Sequence, residues 1–245
     1  MGEVTNSKYT VTAGWDDVPH LDGKTKEELL ASTPPYLREA RSKGIPTLGS
    51  GAIYPISERE VTVDPFVIPA YFRRVYGLDV GWRRTAVIWI AYDAGNDVAY
   101  AYAEHYRGEA EPSIHATAIK ARGDWIPGVI DPAARGRLQD DGKRLFAMYQ
   151  ELGLNLSLAK NEVEAGLYAV WERLSTGRLK IFKTMQNTLY EYRGYHRDEK
   201  GKIVKEDDHA MDALRYAVLA LDLAQVKPVM SFGTDFGAGD KEAGY

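Results

Sequence analysis

Apolar residues concentrate between residues 74 and 106 in three stretches that are rich in β-branched, aromatic and small side chains. The stretches are RVYGLDV, TAVIWIAYD and DVAYAYAEHY. A turn at Gly81–Arg84 separates the first two, and Asp93–Asp97 (DAGND) supplies a hairpin turn before the third. Three successive strands joined by short turns predict an antiparallel meander.

Beyond residue 112 the pattern alternates between helix and strand. Helices are predicted at Pro112–Ala121, Gly142–Leu152, Glu162–Ser175, Met185–Tyr192 and Asp208–Leu223. The strands between them are WIPGVID, LNLSLA and Leu179–Phe182. The last helix places Met211, Leu214, Val218 and Leu221 on one buried stripe. Three antiparallel strands followed by alternating strands and helices predict an α/β fold, a mixed sheet with helices on both faces.

The two ends of the chain differ from its middle. Residues 1–70 hold two short helical stretches, around Lys24–Ser32 and Pro35–Lys43, among many Pro and Gly residues, and indicate a linker or appendage. Residues 193–206 are polar, with a turn at Asp198–Gly201, and suggest an exposed hairpin. The Gly-rich tail after Lys227 is expected to be mobile. We therefore divide the chain into residues 1–70, 71–226 and 227–245.

Composition excludes several classes of protein. Hydrophobic residues make up 44% of the 245, which is enough for a real core. The sequence contains no cysteine, which excludes disulfides, thiolate metal sites and a cysteine nucleophile, and fits a reducing cytoplasm. No apolar run is long enough to span a bilayer, and the polar start MGEVTNSKYT has no signal-peptide core.

The net charge of −4 argues mildly against nucleic-acid binding, but the charge is unevenly distributed. Between Arg178 and Lys205 eight basic residues face three acidic ones. An acidic centre beside a basic track is what a metal-dependent nuclease needs. The candidates for DNA contacts are Arg83, Arg84, Arg135, Arg193, Arg197, Lys200 and Lys202, with Tyr190, Tyr192 and Tyr195 between the basic residues of the hairpin region. The alternatives are surface salt bridges and an ordinary solvated hairpin.

Two candidate acids stand where strands end. Asp79 lies between glycines in GLDVGW, and Asp131 follows a short strand in VIDPAARG. Functional groups concentrate at strand ends in open α/β sheets. The simpler alternatives are a strand-ending aspartate at Asp79, and a turn or helix cap formed by the Asp-Pro pair at Asp131.

A third acidic group opens the last helix in EDDHAMDALRYAV. Asp207 or Asp208 is a natural N-cap, and we favour Asp207 for that role. Asp208 and Asp212 share a helix face one turn apart, so they repel each other unless a cation lies between them. The alternative for Asp212 is a solvated pair with Arg215. His209 is a candidate metal ligand, proton shuttle or phosphate contact, and the alternative is a helix-surface histidine that makes a local hydrogen bond.

Asp79, Asp131 and Asp212, with Asp208 beside them, can converge on one edge of such a sheet. Sites built only from oxygen ligands select Mg²⁺ or Mn²⁺. Two ions roughly 4 Å apart could hydrolyse a phosphodiester bond without a covalent nucleophile. An ATP site at Gly23–Thr25 is excluded, because Val18 stands where a phosphate loop requires glycine and no strand precedes it.

GLDVGW, VIDPAARG and DDHAMDALRYAV, in this order and spacing, resemble the nuclease domain of the large terminase subunit of tailed bacteriophages over residues 70–225. Segments WDDVPHL, EELLAS, PPYLREARSKGIP and GSGAIYP resemble the end of that family's ATPase domain and its linker, which implies a piece of a longer motor. The resemblance implies an RNase H-like fold and Mg²⁺- or Mn²⁺-dependent cutting of concatemeric viral double-stranded DNA in the host bacterial cytoplasm. It also implies metal binding by Asp79, Asp131 and Asp212, and the small terminase subunit and the portal or procapsid as partners.

Three alternatives remain at this point. A Holliday-junction resolvase or transposase-type nuclease shares the fold but would not need residues 1–70. Actin-like and sugar-kinase ATPases also begin with a Gly-x-Asp-x-Gly strand, but they need a duplicated domain that this length does not supply. A non-catalytic DNA-binding or docking module would not need all three acids.

Overall fold

A mixed sheet forms the centre of the computed structural model, which describes residues 14–18, 20–32, 42, 51–132, 141–160, 162–198 and 201–228. Its strands are β1 (Thr62–Val63), β2 (Arg73–Asp79), β3 (Thr85–Asp93), β4 (Val98–Arg107), β5 (Gly128–Ile130), β6 (Leu156–Leu158) and β7 (Leu179–Phe182). The helices are α1 (Gly23–Ser32), α2 (Glu58–Val61), α3 (Pro112–Lys120), α4 (Asp141–Glu151), α5 (Val163–Ser175), α6 (Gln186–Gly194) and α7 (His209–Leu219). Short 3₁₀ turns lie at Trp15–Asp17 and Leu221–Leu223.

The seven strands lie in the order β1-β7-β4-β3-β2-β5-β6. The predicted meander is confirmed, because β2 pairs with β3 and β3 with β4 in antiparallel fashion. Every other pair of neighbours is parallel. Strands β1, β2, β4, β5, β6 and β7 therefore all finish at the same side of the sheet, which we call its carboxyl end.

Core residues cover both faces of the sheet, as the alternation along β3 requires. Ile88 and Ile90 belong to the cluster that packs under α5 and α7. Val87 and Trp89 point the other way, into a cluster with α3 and α4. All four are fully buried, and each such side chain contributes about 1.5–3 kcal/mol through burial. The predicted α/β mixed sheet with helices on both faces is confirmed.

Helix α7 is buried on almost every side. The predicted stripe of Met211, Leu214, Val218 and Leu221 is buried, but so is every residue from Ala210 to Val218. The predicted single helix to Leu223 is wrong in its end, because α7 stops at Leu219 and a 3₁₀ turn follows. A helix buried all round carries Asp212 into the protein interior.

Residues upstream of 71 take part in the same fold. Strand β1 pairs with β7, and Tyr54 and Val61 lie in the larger core cluster. The boundary predicted at residue 70 therefore separates residues that pack against one another. The division into domains stays a prediction. Apart from residue 42, the predicted helix Pro35–Lys43 lies outside the described residues, as does the tail beyond residue 228.

The predicted hairpin of residues 193–206 is shorter than expected. Helix α6 extends to Gly194, and the described part of the hairpin holds one bridge, between Arg197 and Ile203. The amide of Gly201 donates to the carbonyl oxygen of Asp198 and closes the turn. In the described ranges the longest helix has 13 residues, and none is long and apolar enough to cross a membrane.

Candidate active site

Two of the predicted acids stand on neighbouring strands at the carboxyl end of the sheet. Asp79 is the last residue of β2, and Asp131 follows β5 directly. The two strands are parallel neighbours, and the amide of Asp131 donates to the carbonyl oxygen of Leu78 at 3.0 Å. The hydroxyl of Tyr216, from α7, donates to Asp131 Oδ1 at 3.1 Å.

Helix α7 brings the third acid to the same place. It lies so close to β2 that a Cβ built at Gly77 would be 2.1 Å from the carbonyl oxygen of Ala213. Asp212 immediately precedes Ala213, and Asp79 follows Gly77 by two positions. Burial raises the pKa of Asp79, and the charges of Asp212 and Asp131 raise it further. The charges of both other carboxylates therefore reach Asp79.

His209 is directly bound to this group. Its Nδ1 lies 2.8 Å from Asp79 Oδ2, so the imidazole donates through Nδ1 when Asp79 is ionised. The hydrogen bond to Asp79 raises the pKa of His209, and the same bond opposes the rise in the pKa of Asp79. The alternative of a helix-surface histidine with a local hydrogen bond does not describe this contact, because Asp79 lies 130 positions away in the sequence.

Asp212 is held by two cations rather than by solvent. Arg215 Nη2 donates to Asp212 Oδ1 at 2.8 Å, and Lys205 Nζ donates to Asp212 Oδ2 at 3.0 Å. The Arg215 side chain is only 2% exposed, so the pair with Arg215, which the alternative placed on a solvated face, is a buried one.

Asp208 completes the acidic cluster one turn before Asp212. Lys205 Nζ lies 2.7 Å from Asp208 Oδ2 as an ion pair. The Asp208 side chain is only 9% exposed, so this ion pair is largely shielded from water. The positive group expected between Asp208 and Asp212 is therefore Lys205, which was not among the predicted site residues.

The prediction that Asp207 caps the last helix is wrong. Asp208 is the N-cap residue, and its side chain makes no capping hydrogen bond. Glu191, from α6, replaces that cap: its Oε2 accepts from the amides of Ala210 at 2.6 Å and Met211 at 3.2 Å. Asp207 instead turns the backbone with φ of 49°.

Glu191 is the residue that sequence reasoning missed most clearly. It is 1% exposed, and the hydroxyl of Tyr106 donates to its Oε1 at 2.6 Å. Burial raises the pKa of Glu191, and these hydrogen bonds oppose the rise. Glu191 fixes the start of α7, and with it the positions of Asp208, His209 and Asp212.

The predicted DNA-contacting residues fall into three groups. Arg83 and Lys202 are exposed, and Arg84 lies over the ring of Tyr106 at 4.9 Å. Arg193 pairs with Glu58 at 2.6 Å and Arg197 with Glu164 at 2.7 Å. Arg135 and Lys200 lie outside the described residues.

The three tyrosines of the hairpin region do not share one environment. Tyr190 is 61% exposed. Tyr192 and Tyr195 are buried and pack against Tyr54, with ring centroids 6.2 and 5.7 Å from it. The expectation that all three are available to DNA is therefore wrong for Tyr192 and Tyr195.

The donor chemistry fits a hard divalent cation. Asp79, Asp131, Asp208 and Asp212 offer carboxylate oxygens as donors, and the Lys205 ammonium stands between Asp208 and Asp212 as a cation would. Among the described residues, however, no three His, Asp or Glu side chains are already arranged to hold a metal ion. The carboxylates point instead to His209, Lys205, Arg215 and Tyr216.

Comparisons with known proteins point to one family. The family described as terminase RNaseH-like domain matches residues 77–221. The large terminase subunit of Salmonella phage P22 is 32% identical over 219 residues, which cover 86% of this chain and 44% of that protein. The large terminase subunit of Enterobacteria phage LP7 is 33% identical over 212 residues, covering 83% and 44%. The chain thus spans less than half the length of these relatives.

Comparison with solved structures finds nuclease domains of large terminases. The P22 large terminase nuclease domain superposes with a TM-score of 0.69 at 30% identity, over 74% of this chain and 97% of that one. The large terminase nuclease domain of bacteriophage SPP1, solved with bound Mn, matches with a TM-score of 0.50 at 20% identity, over 66% and 97%. At 20% identity, the similarity to the SPP1 domain is evidence for the fold alone.

Proposed function

Since the chain belongs to the terminase RNase H-like domain family, we propose that it is a divalent-metal-dependent endonuclease that hydrolyses phosphodiester bonds of double-stranded DNA. The observation that carries the proposal is the convergence of Asp79, Asp131 and Asp212 at the carboxyl end of the sheet. Asp79 ends β2, and Asp131 directly follows the adjacent strand β5. Helix α7 packs against Gly77 and carries Asp212 to the same end of the sheet.

The proposed ligands are Asp79, Asp131 and Asp212, with Asp208 as a fourth, and the proposed ions are Mg²⁺ or Mn²⁺. Two ions held by these carboxylates would supply an activated water nucleophile and would stabilise the negative charge on the leaving 3′ oxygen. The SPP1 relative crystallised with Mn and the nuclease of phage G20c with cobalt, which supports a divalent ion.

The side chains around the acids have positioning roles in this proposal. Arg215 fixes one oxygen of Asp212, and Tyr216 orients Asp131. His209 holds Asp79 through Nδ1. Arg83, Arg84 and Lys202 supply positive charge for the phosphates, and Arg193 and Arg197 would contribute only by giving up their ion pairs.

The biological role that we propose follows from the relatives. A large terminase subunit would cut concatemeric viral DNA during genome packaging in the cytoplasm of the host bacterium. Its partners would be the small terminase subunit and the portal or procapsid.

A plasmid-nicking assay in Mn²⁺ tests the proposal. We expect the wild-type chain to relax supercoiled plasmid and EDTA to stop it. Asp79→Asn, Asp131→Asn and Asp212→Asn should each lower the rate by roughly 100-fold or more, because loss of a ligand exceeds loss of a residue that supports one. The matched control is Asp222→Asn, an exposed carboxylate just beyond α7, which should cut normally.

Circular dichroism should show that all four variants are folded. Cutting that persists in EDTA, or a wild-type chain that does not cut in Mn²⁺, would contradict the proposal. Normal cutting by a single Asp→Asn variant would remove that residue from the site.

A further inference from the structure

Lys205 bridges two acids of the site. Its Nζ lies 2.7 Å from Asp208 Oδ2 and 3.0 Å from Asp212 Oδ2. The two carboxylate side chains are 9% and 12% exposed, so little water screens them. Two like charges this close together on one helix face need a cation, and the ammonium group supplies it.

The two cations that contact Asp212 differ in their freedom to move. Arg215 is 2% exposed and packs against Gly166, where an added Cβ would be 2.9 Å from its Cδ. Lys205 is 61% exposed, and its flexible stem lies on the surface. A divalent ion that approaches Asp208 and Asp212 can therefore displace Lys205 but not Arg215.

The backbone around Lys205 directs its side chain towards Asp208 and Asp212. Asp207 adopts a left-handed φ of 49° in a bend between Lys205 and the start of α7. The amide of Val204 donates to the carbonyl oxygen of His196 at 3.1 Å and ties the preceding residue to the hairpin. The side chain of Lys205 thus folds back over the helix that follows it.

We propose that Lys205 is an internal counter-ion that occupies a cation position between Asp208 and Asp212 and leaves when a divalent ion binds there. The inference rests on the proposed metal-dependent function. In the metal-free protein the ammonium group stabilises the two acids, and in the loaded protein it is released into solvent. Lys205 therefore competes with the metal and lowers its affinity.

Calorimetric titration with Mn²⁺ tests the competition. We expect Lys205→Met, which keeps the length of the stem and removes the charge, to bind Mn²⁺ about tenfold more tightly than wild type, a change equivalent to about 1.4 kcal/mol. Lys205→Arg keeps the charge and should bind Mn²⁺ with nearly wild-type affinity. Lys183→Met removes a lysine from an exposed pair with Asp64, and should change nothing.

Thermal unfolding gives an independent measure of the same competition. In EDTA the Lys205→Met protein should unfold at a lower temperature than wild type, because two carboxylates have lost their counter-ion. Saturating Mn²⁺ should raise its melting temperature by more than it raises that of wild type.

A second measurement does not depend on that variant folding. Lysines labelled with ¹³C by reductive methylation give separate NMR signals, and the signal missing from Lys205→Arg identifies Lys205. Titration with Mg²⁺ should move that signal towards the position of exposed lysines. An unmoved signal, or equal Mn²⁺ affinity in wild type and Lys205→Met, would overturn the inference while leaving the proposed function standing. If none of the proteins binds a divalent ion, both proposals fail.

Discussion

A Cβ atom at Gly77 would lie 2.1 Å from the carbonyl oxygen of Ala213. It would also lie 2.8 Å from the backbone nitrogen of Ala217. Both obstacles are backbone atoms of α7, and neither can rotate away. The missing side chain at Gly77 is therefore what allows helix and strand to touch, and this contact sets the spacing between Asp79 and Asp212.

Gly77→Ala should push α7 away from β2. We expect a loss of about 3 kcal/mol in the free energy of unfolding, at the upper end of the range for overpacked cores. Urea unfolding followed by circular dichroism measures it. Gly194→Ala is the control, since nothing lies within 4 Å of a Cβ there, and it should be neutral or slightly stabilising. Equal stability of the two variants would show that the contact at Gly77 is not tight.

Arg215→Met should destabilise the protein by about 3 kcal/mol or more, because it leaves the buried Asp212 carboxylate with one fewer cation. Adding Asp212→Asn should recover much of the loss, since the neutral amide needs no counter-charge. Chemical denaturation of the single and double variants checks both effects. For comparison, Arg193→Met breaks the more exposed pair with Glu58 and should cost about 1 kcal/mol or less. Absence of recovery in the double variant would mean that the guanidinium acts through packing alone.

A pair of histidines makes stability depend on pH. His105 Nε2 and His115 Nδ1 are 2.9 Å apart, and His115 Nε2 donates to the carbonyl oxygen of Ala110 at 3.2 Å. Burial lowers the pKa of both residues. Their neutral forms therefore stabilise the fold above a pH of about 6.5, and this contribution is lost as the pH falls through the folded pKa values.

The double variant His105→Gln/His115→Gln should lose less stability than wild type between pH 7 and pH 5, by melting temperature. His209, Asp79 and Glu191 have raised pKa values and act in the opposite direction, but they are common to both proteins. The exposed His196→Gln should behave like wild type. Parallel pH curves for wild type and the double variant would refute this role.

Lys202→Ala tests the predicted DNA track. If Lys202 contacts one phosphate, its loss should flatten the dependence of log affinity on log salt by about one unit, with a similar weakening for every DNA sequence. Fluorescence anisotropy at several salt concentrations gives the slope. The control is Lys120→Ala. Lys120 is an exposed lysine of α3 that donates to the carbonyl oxygen of Leu152, and its loss should leave the wild-type slope unchanged. An unchanged slope in Lys202→Ala would place the hairpin away from the DNA.

Six of the seven described strands and the positions of two acids could be predicted, because their signals are local. TAVIWIAYD gives the bounds of β3 directly, since β-branched and aromatic residues fill both faces of a buried strand. Asp79 and Asp131 follow from the rule that strand ends carry functional groups. Strand β1 has two residues, too few to show a periodicity, and was not predicted.

The contacts that organise α7 could not be predicted, because they join distant residues. Glu191 lies 19 positions before Ala210, whose amide it accepts. Arg193 and Arg197 carry the charge expected of a DNA track, but Glu58 and Glu164 neutralise them from 135 and 33 positions away. Net charge along a segment cannot show which of its side chains the fold has already paired.

Strand β1 has a consequence for how the protein can be shortened. Its two residues cover the outer flank of β7 at Ile181 and Phe182. A protein that began at residue 71 would leave unpaired amides and carbonyls along that flank, and it would uncover the apolar surface now covered by Val61. Exposed edge strands of this kind form hydrogen bonds with strands of other molecules. The shortened protein would therefore self-associate at concentrations at which the longer one stays dispersed.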